Sequence, residues 1–101
     1  MSKVSVMGTF TCQEGKADEV EAVLADMVEA AREEPGVEIY SYHRGEGSTY
    51  WFFALMTDRE SMQIHGRSEA MQAAMAAFGP LVVGPPQMTM TTPLPAIGLD
   101  I

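Results

Sequence analysis

The chain has a single cysteine, Cys12, so no disulfide can form within it. Basic residues are scarce: six Lys and Arg stand against fourteen Asp and Glu, for a net charge of −8. A nucleic acid or an anionic membrane surface needs the opposite balance. Only two histidines occur, and neither has a Cys or carboxylate at ligand spacing, so no metal motif is present. Phosphate-cradling loops of the Gly-x-Gly-x-x-Gly or Gly-Lys-Ser type are missing, as is a Gly-x-Ser-x-Gly elbow. No apolar run approaches the roughly 18 residues of a membrane span. The start, "MSKVSVMGTF", has no apolar region of signal-peptide length. These absences leave a cytoplasmic, reduced, soluble protein as the expectation, with no nucleic acid and no membrane among its partners.

What is present fits one domain. The 101 residues are 47% hydrophobic and 20% charged, enough for one modest core. "KVSVMGTFT", residues 3–11, alternates as a strand, with Val4, Val6, Gly8 and Phe10 on one face. Residues 16–34 carry Val20, Leu24, Met27 and Ala31 at helical spacing, and the acids cover the other side. Pro35 and Gly36 stop that helix. "VEIYSYHR", residues 37–44, and residues 49–56 read as a strand pair around the turn "GEGS". Thr57 and Glu60 have capping-box spacing for a second helix, with a break near Gly66. Ser68 then caps a further helix, in which Met71, Ala74, Met75 and Phe78 fall on one face. "QMTMT", residues 87–91, is the last strand. The order β-α-β-β-α-β implies an α+β, ferredoxin-like fold with a four-stranded antiparallel sheet. The domain spans residues 1–92, and residues 93–101 form a tail that either docks on a surface or hangs free.

One stretch exceeds what a half-exposed strand needs. "YWFFALM", residues 50–56, is apolar throughout. Helices cover one sheet face in this fold, yet either face of this strand carries at least three large apolar groups. Burying three such groups is worth roughly 5–9 kcal/mol, against about 5–15 kcal/mol for a whole domain. Sheet-to-sheet pairing of two copies is the simplest way to cover them, so a homodimer through the sheet face is expected.

Several short motifs together resemble the antibiotic biosynthesis monooxygenase (ABM) family. "EPGVEIYSYHR", residues 34–44, is similar to the family's second-strand signature through Glu34, Pro35, Gly36, Tyr40, His43 and Arg44. "TDRESMQIH" is similar to a family segment that ends in histidine, matched here by His65. The resemblance covers residues 3–92 and implies a dimeric α/β barrel with a pocket between sheet and helices. It implies a monooxygenase that needs no cofactor and acts on an aromatic phenolic, anthrone-like or quinol small molecule. Two departures bear on this. Family members often carry Glu-x-Trp at the end of the third strand, where Ala54 and Met56 stand here. Haem-degrading relatives use a Trp and a His at the positions of His65 and Met75, so the axial imidazole of that chemistry is missing. The departures leave two further readings: a non-catalytic binding or accessory dimer, or a cyclase or isomerase on the same fold.

Oxygenation without a cofactor requires removal of a proton, stabilisation of the resulting anion and exclusion of water. His65 is the candidate acid–base group, being a histidine at a helix end where relatives line their pocket. Tyr40, Tyr42 and Trp51 are candidates to orient the substrate, with Thr9, Met71 and Met75 as further lining residues. Trp51 and Phe53 fit either stacking on a planar substrate or a dimer core. The chain's many methionines fit either an adaptable pocket or ordinary core filling. His43 reads as a structural or interface residue.

Overall fold

A computed structural model describes residues 2–99. Strand β1 (Val4–Thr11) leads to helix α1 (Ala17–Ala31), then to β2 (Val37–Arg44) and β3 (Thr49–Met56). Helices α2 (Arg59–Arg67) and α3 (Glu69–Phe78) follow, then a single 3-10 turn and β4 (Gln87–Thr91). The sheet order is β2-β3-β1-β4 and every pairing is antiparallel. This is the expected ferredoxin-like arrangement, with β2, β3 and β4 at the limits the sequence pattern placed and β1 one residue shorter at its start.

Helix α1 ends sooner than the pattern implies. Proline disfavours helical backbone at the residue before it, here Glu34. The chain tightens instead: the amides of Arg32, Glu33 and Glu34 donate to the carbonyls three residues earlier, at Glu29, Ala30 and Ala31. The next turn brings Gly36 against α2. A Cβ on Gly36 would lie 2.1 Å from Ser61 Oγ and 2.3 Å from Ser61 Cβ. Glycine is therefore the residue that lets α2 sit this close. The Gly36 carbonyl also accepts from the Thr57 amide at 2.8 Å.

That bond corrects the capping expectation. With its amide held at Gly36, Thr57 stays outside the helix, and its hydroxyl donates to Glu38 at 3.0 Å. Asp58 caps α2 instead, accepting from the Ser61 amide at 2.8 Å, which holds its carboxyl below the usual range. The break between α2 and α3 falls at Ser68 rather than Gly66. Ser68 is extended; its hydroxyl accepts from the Met71 amide to start α3 and donates to the His65 carbonyl.

All three helices pack on the sheet face that carries Val6, Phe10, Tyr50, Ala54 and Met56. One buried cluster joins Val20, Leu24 and Met27 of α1 to Phe10, Tyr50 and Phe78. Phe10 stacks on Tyr50 at 5.3 Å and meets the Phe78 ring edge-on at 4.6 Å. A smaller cluster, Val6, Ala54 and Met56, fills the other end. Arg44 donates twice to the Glu21 carboxylate, which also accepts from the Tyr50 hydroxyl, tying α1 to the hairpin end.

A bulge in β2 sets which way its side chains point. The ladder shifts between Val37 and Ile39, leaving Glu38 as the extra residue. Val37 packs with the helix-side cluster, and without the bulge Tyr40 would face the opposite way. With it, Tyr40 and Tyr42 join the helix side, while His43 pairs with Trp51 on the open face. Glu38 is held in place by Lys3 at 2.7 Å and by Thr57.

The seven-residue apolar run divides as alternation requires. Tyr50, Phe52, Ala54 and Met56 face the helices. Trp51, Phe53 and Leu55 face the other way, and Trp51 is 53% exposed whereas Leu55 is only 1% exposed. No described helix is long and apolar enough to cross a membrane. Beyond β4 the described tail is irregular, with Leu94 and Ile97 exposed; residues 100 and 101 of the expected tail lie outside the described residues.

Gly36→Ala is expected to lower stability by about 1–3 kcal/mol, because a methyl group enters a filled contact. A urea unfolding midpoint equal to that of the native protein would contradict this placement of α2.

Candidate functional site: a phenol and imidazole pole in an apolar cavity

A cavity of about 410 Å³ lies between the sheet and the helices. That volume is in the range of small-molecule sites. Val6, Phe52, Ala54 and Met56 form its floor with Tyr40 and Tyr42; Met27, Met62, His65, Met71, Met75 and Phe78 form its roof. Pro85, Pro86 and Met88 stand at the rim. The Phe52 ring is seated over Gly8, where a Cβ would lie 2.3 Å from that ring and 2.6 Å from the Gln87 carbonyl. Glycine there lets the Phe52 ring lie over β1.

The lining carries no Asp, Glu, Lys or Arg. Its polar side chains are Tyr40, Tyr42 and His65, and they are neighbours. The Tyr40 ring meets the His65 ring edge-on at 5.1 Å. The Tyr40 and Tyr42 hydroxyls hydrogen-bond each other at 2.5 Å, and the Tyr42 hydroxyl also reaches Met27 Sδ at 3.8 Å. Sulfur is the weaker acceptor. When Tyr42 donates to Tyr40, the Tyr40 proton is free for a ligand. Burial pushes the pKa of both phenols up, and for Tyr42 the neighbouring Tyr40 adds to it. Both are therefore neutral donors at physiological pH.

His65 is 6% exposed. Its Nδ1 lies 3.1 and 3.2 Å from the two Glu34 carboxylate oxygens. A carboxylate only accepts, so Nδ1 carries a proton and donates. Two features place the pair. His65 sits one turn after Ser61 on α2, the residue packed on Gly36, and Glu34 lies two residues before that glycine. The Pro-Gly turn that stops α1 thus also delivers the carboxylate.

The structure brings together Tyr40, Tyr42, His65, Met71 and Met75 of the candidate residues. Trp51 and Thr9 lie on the opposite sheet face, with Met7, Phe53 and His43. Strand alternation separates them from His65 by the thickness of the sheet. The Thr9 hydroxyl donates to the Tyr50 carbonyl at 2.8 Å. Six of the nine methionines line the cavity, which makes its walls adaptable. Sequence reasoning did not single out Met27, Met56, Met62, Phe52 or Glu34 for the site. Glu34 carried a readable signal, since it precedes a Pro-Gly turn, but its partner is 31 residues away. Among the described residues, no group of three or more His, Cys, Asp or Glu could hold a metal ion.

An α+β domain with a helix-roofed apolar cavity and one polar pole is the class of protein that fold and site define. The sequence profile of the antibiotic biosynthesis monooxygenase family matches residues 3–77, and the chain belongs to that family. No curated protein matches the sequence. Among solved structures, a candidate antibiotic biosynthesis monooxygenase from Caulobacter crescentus CB15 superposes with a TM-score of 0.88 at 27% identity, over 93% of this chain and 92% of that one. Rv0793 from Mycobacterium tuberculosis superposes with a TM-score of 0.86 at 24% identity, over 94% and 98%. A variant of SnoaB, a cofactor-independent oxygenase from Streptomyces nogalater, superposes with a TM-score of 0.84 at 18% identity, over 98% and 100%. The last two likenesses are of fold alone.

The raised phenol pKa values predict an alkaline limit. Burial favours the neutral form in the folded state, so this contribution is complete below about pH 10 and is lost as pH rises above it. Urea unfolding is expected to show stability falling from about pH 10 to 12, and falling less in Tyr42→Phe. Equal losses in both proteins would contradict the burial of this phenol.

Proposed function

We propose that the protein is a cofactor-independent monooxygenase acting on a phenolic, anthrone-like or quinol small molecule. One observation carries this reading: the histidine and the two phenols form a single polar pole in an otherwise apolar cavity. A flat aromatic substrate fits between Phe52 and the methionines with its oxygen at that pole. His65 takes the proton whose loss makes the substrate an electron-rich anion. The Tyr40 hydroxyl donates to the substrate oxygen as its charge develops. For an anthrone-like substrate, O₂ then adds to the carbanion. The CH₂ carbon becomes a carbonyl with one oxygen atom, and the other oxygen leaves as water with the two hydrogens. The substrate supplies all the electrons. The description of SnoaB, which shares the fold, agrees with this class of reaction.

A second reading rests on β3. Phe52, Ala54 and Met56 give the cavity an apolar wall, where many relatives place Glu-x-Trp, and that favours binding without turnover. The same acid–base pole would serve an isomerase, which needs no O₂.

The homodimer belongs to this proposal. The open face presents Trp51, Met7 and Phe53 with threonines, and among the described residues lining its hollow His43 is the one titratable side chain. A sheet face with exposed large apolar side chains suits a second copy of itself.

Oxygen uptake with anthrones and hydroquinols tests the chemistry. His65→Ala is expected to lose about 100-fold or more in rate. Turnover that persists without O₂ would favour the isomerase, and ligand binding with no turnover the accessory protein. Light scattering tests the dimer: twice the chain mass is expected, and the chain mass in Trp51→Glu. A native protein that stays monomeric at micromolar concentration would contradict it.

A further inference from the structure

We infer that Glu34 is a positioning residue that fixes the tautomer and orientation of His65, so that Nε2 presents a lone pair to the cavity. The inference deepens the acid–base role given to His65 and rests on that reading for its catalytic meaning.

Three observations carry it. The first is the contact: both Glu34 oxygens lie within 3.2 Å of Nδ1 and no nearer cation competes. Glu34 makes no other side-chain hydrogen bond or ion pair among the described residues, because Arg32 reaches back to Glu29. A carboxylate cannot donate, so the neutral imidazole must carry its proton on Nδ1.

The second is the rigidity of the mount. The Glu34 amide donates to the Ala31 carbonyl at 3.0 Å, and its carbonyl accepts from the Val37 amide at 3.2 Å. The His65 carbonyl accepts from both the amide and the hydroxyl of Ser68. Both partners are thus tied to backbone on either side, and the contact at Gly36 fixes the distance between their elements.

The third is where the ring's other nitrogen stands. Nε2 has no hydrogen-bond partner among the described residues. No fully enclosed side-chain nitrogen or oxygen there lacks a partner, so Nε2 is reached by solvent-sized space. His65 lines two spaces, the cavity between sheet and helices and a hollow of about 10 Å³ that Glu34 also lines; with Nδ1 turned to Glu34, the far side of the ring is left to the cavity. Glu34 does not line that cavity. The carboxylate therefore acts on a ligand only through the ring. A phenol or enol entering the cavity meets an acceptor and can donate its proton to it.

The test uses nitrogen NMR of the whole protein, labelled at histidine, at a pH where the ring is neutral. The expected native spectrum shows a protonated Nδ1 and an unprotonated, pyridine-like Nε2 for His65. Glu34→Gln keeps the size of the side chain but offers a donor as well as an acceptor, so both tautomers are expected. Affinity for 2-naphthol, followed by its fluorescence, is expected to fall about fivefold in that variant, the worth of one hydrogen bond. A native protein with its proton on Nε2 overturns the inference, and so does a Glu34→Gln variant with an unchanged tautomer. The native spectrum decides alone if the variant does not fold. Naphthol binding and tautomer state need no turnover. A protein that passes both tests yet consumes no O₂ would lose the oxygenase reading and keep this one.

Discussion

The contact between Gly36 and Ser61 governs the rest of the site. It is a backbone approach that any side chain on residue 36 would prevent. Because it sets how close α2 lies to the start of β2, it sets what α2 can touch one turn later. His65 meets Glu34 there, and its ring edge meets Tyr40. A helix displaced by the width of a methyl group would separate both pairs. The cavity would remain, but its pole would lose the fixed geometry that acid–base work requires.

A second constraint works on the opposite wall. The one-residue bulge at Glu38 turns Tyr40 and Tyr42 inward and leaves His43 outside with Trp51. Side-chain parity in a strand is all-or-none, so one extra residue decides which aromatics belong to the cavity and which to the open face. The ion pair of Glu38 with Lys3 and its bond from Thr57 hold the bulged residue on the surface. The polar pole thus depends on two local irregularities, a Pro-Gly turn and a bulge, set within an otherwise regular fold.

How much of this could be read in the sequence follows from the range of each interaction. Strand alternation and helical periodicity are local, and they located β1 to β4 and all three helices. The division of residues 50–56 into two faces also follows from period two alone. Capping was harder: the Thr57–Glu60 spacing is correct for a box, but the Thr57 amide is taken by Gly36, a residue distant in sequence. The site was legible where its residues lie on elements with a clear period, as with Met71, Met75 and the tyrosines. The separation of Trp51 and Thr9 from His65 required knowing which sheet face the helices cover, and both faces of β3 are apolar. Glu34 was invisible as a partner of His65 because nothing in either local segment points to the other.

The central claim is that ligands bind at the histidine–phenol pole on the helix side of the sheet. A crystal structure with 2-naphthol bound tests it most directly. The account predicts the naphthol oxygen within hydrogen-bond distance of His65 Nε2 and the Tyr40 hydroxyl, with the rings against Phe52 and the methionines. A naphthol found instead on the open face, stacked on Trp51 beside Thr9, would contradict it.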